Sequence, residues 1–217
     1  MENNNSLEGI HERSTELNRL DREAVERIGK QFHDLVSAEK LEKMGDPKLS
    51  TEFKSHEEIG KAYEKETQKT AGRGLEGFSK ELKIPAQVCS EHRDITEQTV
   101  IHERLHQVSN PDAKNVIGKR GMEGVTQALT DRLMGNNGDK SIIQLDEKGR
   151  EYNFYPKETQ MAKDLIVETG GPGAVEQLYF KNNANDLKKA LGGESQYEAR
   201  MEQFKKLDEV DLRNKQV

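Results

Sequence analysis

The segment Thr99-Val100-Ile101-His102-Glu103-Arg104-Leu105-His106 narrows the possible folds more than any other stretch of the chain. Ile101, Leu105 and Val108 recur at spacings of four and three, which makes one apolar stripe along an α-helix. His102 and His106 lie four apart, so their imidazoles share a face about 100° round from that stripe. Asp94 or Thr96 can cap the start, Glu97 falls in the first turn, and Asn110-Pro111 stops the helix. Such a helix buries its stripe and presents two imidazoles beside the core, as a metal site at the floor of a cleft requires. Zinc takes neutral imidazole nitrogens readily. Glu103 cannot aim at the same point, but it can reach a water that the metal holds. The plain alternative is an exposed polar helix with two surface histidines.

Catalytic zinc usually has three protein ligands and one water, and two residues compete for the third place. Glu123 lies in Gly121-Met122-Glu123-Gly124-Val125-Thr126-Gln127-Ala128-Leu129-Thr130-Asp131-Arg132-Leu133. That stretch reads as an amphipathic helix with Met122, Val125, Leu129 and Leu133 as its core stripe and Glu123 on the shoulder. Asp112, six residues after His106, occupies the third-ligand position of the metzincin pattern. Ser109 stands where that pattern needs a turning Gly, and Pro111 restricts the backbone further. Glu123 is the preferred candidate.

His102-Glu103-Arg104-Leu105-His106, followed by the Met122-Glu123-Gly124-Val125-Thr126 segment, resembles the gluzincin metallopeptidases. The likeness is greatest to small bacterial forms whose second helix carries an Asn/Met-Glu-Gly-x-Thr segment. It covers residues of about 95–135 well and extends loosely to about 192, whereas the first seventy residues carry none of it. The resemblance implies Zn²⁺ held by His102, His106 and Glu123, with Glu103 as general base. The chain departs from thermolysin-like enzymes four residues after Glu123. Gln127 stands there in place of an Asp that orients a ligand His. Thr126, Gln127 or a backbone carbonyl would have to serve instead.

Composition bounds the rest. The 217 residues are 32% hydrophobic and 34% charged, with no Trp, so the core must be small and local. A net charge of −6 argues against a nucleic-acid backbone as the main partner. The single Cys, Cys89, excludes an intramolecular disulfide and fits a reducing compartment. No apolar run approaches the length of a membrane span, and Met1-Glu2-Asn3-Asn4-Asn5 has no signal-peptide layout. The expected setting is the cytoplasm, or delivery by a specialised secretion or injection system as with bacterial toxins and effectors.

In chain order, residues 1–10 read as disordered and about 12–44 as one helix, with Leu17, Leu20, Ala24, Ile28, Phe32 and Leu35 at helical spacing. A marginal helix over about 55–70 carries Ile59, Ala62 and Tyr63. This arm packs on the domain, or serves as a prosegment or as a docking helix for secretion machinery or an inhibitor. Ala71-Gly72-Arg73-Gly74 is the expected joint, dividing a helical extension (1–72) from the main domain (73–217). Leu82 to Val88 reads as a short strand that Pro85 pushes to a sheet edge, where an extended substrate could add as a strand. Residues 141–145 and 152–155 could pair as a hairpin or form an ordered loop. Helices then follow from Pro156, Pro172, Asn185 and about 195. The fold class is α+β, predominantly helical: a zincin-like domain with a small edge sheet after a helical extension.

Tyr155 follows the ligand helices and opens a helix at Pro156, so its hydroxyl could meet the charge that builds on a peptide carbonyl oxygen during hydrolysis; Tyr152 is the fallback. The function these residues suggest is a zinc-dependent peptidase acting on a protein or peptide. The alternatives are a non-enzymatic helical interaction protein and a metzincin-like peptidase using Asp112.

Overall fold

The structure is a computed structural model, and it describes residues 7–67, 77–78, 82, 84–89, 97–135, 144–145, 151–152 and 155–214. The chain divides into two compact units, Met1–Val108 and Ser109–Val217. Helices dominate both, with a few short strands. Among the described residues no helix is long and apolar enough to cross a membrane. The expected joint at residues 71–74 lies outside the described residues.

The first unit is built on α1 (Leu7–Phe32). Its stripe of Leu17, Leu20, Ala24, Ile28 and Phe32 is buried, as the spacing required. The single helix expected over 12–44 is instead two, α1 and α2 (Ala38–Met44). Ser37 caps α2 by accepting from the Lys40 backbone N–H at 3.3 Å, which starts a separate helix there. The break also changes which residue is buried. Val36 enters the core, and Leu35, expected there, stays half-buried. The helix begins at Leu7, inside the stretch expected to be disordered.

After a 3-10 turn (Pro47–Leu49) come β1 (Glu52–Lys54) and α3 (His56–Thr67). β1 has no counterpart among the expected strands. Ile59 anchors α3 with Ala62, Tyr63 and Ile84 packed against it. β2 (Gly77–Phe78) and β3 (Gln87–Cys89) complete a sheet of order β1-β3-β2, parallel between β1 and β3 and antiparallel between β2 and β3. The strand expected at an edge is therefore the central one. Pro85 lies before the ladder begins, so its missing N–H removes no sheet hydrogen bond and does not force an edge. α4 (Glu97–Val108) closes the unit and packs on α1 with Val100, Ile101, Leu105 and Val108 buried.

The second unit is centred on α5 (Ala113–Leu133). It is buried on nearly every side from Gly121 to Asp131, because α6 (Pro156–Glu168), α7 (Gly173–Lys181) and α9 (Glu194–Asn214) all pack on it. The expected single apolar stripe understates this: Leu133 is only half-buried, while Thr126, Gln127, Thr130 and Asp131 are inside. β4 (Gln144–Leu145) and β5 (Glu151–Tyr152) form an antiparallel pair, the hairpin of the two alternatives. The short α8 (Asn185–Ala190) precedes α9, whose Tyr197, Met201 and Phe204 are buried as expected.

Candidate metal site

α4 carries the two histidines, and its core stripe decides which way they face. Ile101 and Leu105 are fully buried, which leaves His102 and His106 half-buried one step round the helix. Their Nε2 atoms converge to 3.1 Å, and the rings stand edge to face at 72°. Two imidazoles on one tetrahedral zinc, each with a Zn–N bond of about 2.0–2.1 Å, would hold their nitrogens roughly 3.3 Å apart. The pair is therefore within a few tenths of an ångström of a bidentate clamp. An N–H···N hydrogen bond between neutral imidazoles accounts for the same spacing without a metal. Glu103 is buried beside His102.

The opposite face of α4 holds residues that the motif does not single out. Arg104 is fully buried, and its Nε and Nη2 donate to the two carboxylate oxygens of Asp21 on α1, both at 2.7 Å. Nη1 donates to Gln107 Oε1 at 2.8 Å, and Gln107 Nε2 donates to the Ile84 carbonyl at 2.8 Å. Asp21 also accepts from the Thr51 backbone N–H at 3.2 Å and from the Thr51 hydroxyl. The Lys40 ammonium donates to the Val108 carbonyl at 2.9 Å, placing a cation where the helix dipole is negative. A signal was present. Asp21 follows Leu17 by four and precedes Ala24 by three, and Arg104 sits between Ile101 and Val108. Each is a charge inside an apolar stripe, and burying one without the other would be prohibitive.

In the second unit Glu123 is half-buried on α5. The backbone angles show that its helix is really two: Gly118 has φ 77° and ψ 170°, so the helix breaks there and restarts. Asp208 on α9 caps the restart, accepting from the Lys119 and Arg120 backbone N–H groups at 2.8 Å each. Gly124, next to Glu123, is required by packing. A Cβ there would lie 2.3 Å from the Glu158 carbonyl oxygen, so only Gly lets the first turn of α6 reach α5. Tyr155 begins that turn as the residue before Pro156, in the left-handed region with φ 53° and ψ 47°, and is half-buried. The crossing at Gly124 thus sets the start of α6 beside the turn of α5 that carries Glu123. Of Tyr152 only the backbone, in β5, is described.

Gln127, considered as a stand-in for the missing Asp, has its amide donating to Asp131 Oδ1 at 2.8 Å, and Asp131 pairs with Lys163 at 2.8 Å. Thr126 donates to the Met122 carbonyl at 2.8 Å and accepts from the Tyr179 hydroxyl at 2.7 Å. Both side chains therefore have buried partners inside this unit. Asp112, the rival third ligand, is exposed at the start of α5 and makes no side-chain cap. The expected caps of α4, Asp94 and Thr96, lie outside the described residues. No protein-family model, no curated protein and no solved structure matches this chain.

Proposed function

We propose that the chain is a zinc-dependent peptidase with a zincin-like arrangement, in which His102, His106 and Glu123 hold the metal and Glu103 is the general base. The observation that carries this reading is the 3.1 Å convergence of the two imidazole nitrogens on a helix whose opposite side is locked into a core. Glu123, half-buried on α5, would supply the third ligand. Two imidazoles and a carboxylate suit zinc and leave a fourth position for water.

Bound there, zinc would supply a Lewis acid and lower the pKa of water to about 7. Glu103 would take the proton from the attacking water and hold it at its carboxylate until the leaving amine accepts it. Its burial favours that duty, because a carboxylate shielded from bulk water exchanges its proton with the bound reactants. The Tyr155 hydroxyl would donate to the carbonyl oxygen as charge builds there. A protein or peptide would be the substrate.

The test is metal content by elemental mass spectrometry, wild type beside Glu123→Ala. About one zinc per chain, greatly weakened in the variant, is the expected result for a three-ligand site. Wild type that retains no metal after zinc loading and removal of excess would overturn the reading. Glu103→Gln is expected to keep the zinc and lose hydrolysis of a labelled generic protein substrate; wild-type turnover in that variant would remove Glu103 from the role.

A further inference from the structure

The buried pair Arg104–Asp21 has no part in the chemistry proposed above, yet it sits in the middle of the helix that carries it. Arg104 is two residues from each histidine, so its side chain leaves α4 about 200° round the axis from both. Anything that fixes the direction of the Arg104 side chain therefore fixes the direction of both imidazoles. The guanidinium is held at three points: two N–H···O bonds of 2.7 Å to Asp21 and one of 2.8 Å to Gln107. The acceptors are fixed in turn, Asp21 by Thr51 and Gln107 by the Ile84 carbonyl.

Stability alone does not account for such a network. Taking two charges out of water offsets most of their attraction, and an apolar pair of similar volume is often as stable or more so. A bidentate fork differs from apolar packing in being directional. Apolar contacts let a helix roll by a few degrees at little cost, whereas a fork on a carboxylate does not.

We propose that Arg104 and Asp21 are positioning residues for the metal site: they fix the roll of α4 on α1 so that His102 and His106 face one ion. On this view α1 is part of the support of the site and not a detachable arm. The proposal rests on the reading that the histidine pair binds zinc, and its test separates the two. Zinc affinity is measured by chelator competition, and Co²⁺ is loaded in place of zinc so that its visible absorption reports ligand geometry. The full-length chain is compared with the double variant Asp21→Leu/Arg104→Met and with Arg104→Lys, which keeps the charge and loses the fork.

The double variant is expected to melt near wild type, to bind zinc about tenfold more weakly and to show a changed Co²⁺ spectrum, with Arg104→Lys between the two. A folded double variant with wild-type affinity and an unchanged Co²⁺ spectrum would overturn the proposal and leave the zinc reading intact. Wild type that takes up neither metal would overturn the zinc reading and this proposal with it. If the double variant does not fold, Arg104→Lys is read against the same two outcomes.

Discussion

In the first unit the helix bearing the histidines is held by its side chains. Arg104 reaches Asp21 through a buried fork, Gln107 reaches the Ile84 carbonyl, and four apolar residues of α4 are buried in the unit. In the second unit the helix bearing Glu123 is packed by side chains too, but the turn that carries Glu123 is also constrained through its backbone. Asp208 binds two of its N–H groups, and Gly124 and Gly121 bring α6 and α9 against it, with Phe204 within 3.0 Å of a Cβ built on Gly121. The difference teaches where each proposed ligand would get its precision. A side-chain fork sets the roll of a helix, and a capped, glycine-lined segment sets its position and depth. Two imidazoles on one helix need the first, and a single carboxylate on a longer side chain can rely on the second.

Breaking the fork on one side only should give the largest effect. Arg104→Ala leaves the Asp21 carboxylate buried without its cation, and is expected to destabilise the protein by about 3–5 kcal/mol. Urea unfolding measures this, and a loss under about 1 kcal/mol would mean that water reaches the pair. Gly124→Ala attacks the other unit. The new methyl meets the Glu158 carbonyl, which is backbone and cannot swing aside, so about 1–3 kcal/mol or more should be lost. Unchanged stability there would mean that α6 does not approach α5 so closely.

Asp208→Ala should be milder. It removes the acceptor for the Lys119 and Arg120 N–H groups and is expected to cost about 1 kcal/mol, the usual loss on removing a cap. Amide exchange at residues 119 and 120 should quicken; exchange as slow as in wild type would show that the cap does not protect that turn.

The smallest expected effect is pH-dependent and belongs to the second unit alone. Burial pushes the Glu176 carboxyl above the usual carboxylate range, outweighing the Arg132 guanidinium that pulls it down. A carboxyl with a raised folded-state pKa binds its proton more tightly folded than unfolded. Its contribution is full below the unfolded value and is lost as pH rises through the folded value. Glu176→Gln should therefore flatten the fall in melting temperature between acid and neutral pH. An unaltered slope would assign that fall to other groups.

Much of the local structure could be read from residue order. Periodicity located α4, the later part of α5, and the helices from Pro156, Pro172 and about 195, because apolar spacing reports directly on a buried face. The His102/His106 pair was legible for the same reason, since four residues make about one helical turn. Three features were not. β1 is three residues long and carries too short a pattern to register. The break between Phe32 and Ala38 has no Gly or Pro to mark it. The breadth of burial around α5 depends on three other helices, and no single helix pattern contains its neighbours.

The sequence by itself determined which residues share a face: the two histidines beside an apolar stripe, and Glu123 beside another. Helical geometry is local, so spacing is enough. Tertiary structure alone decided what each face meets. It paired Asp21 with Arg104 across eighty-three residues of chain and set Asp208 over the backbone at Lys119 and Arg120. Such partners are chosen by burial. A charge inside an apolar stripe must find its opposite or leave the core, and only the folded chain shows which one it found.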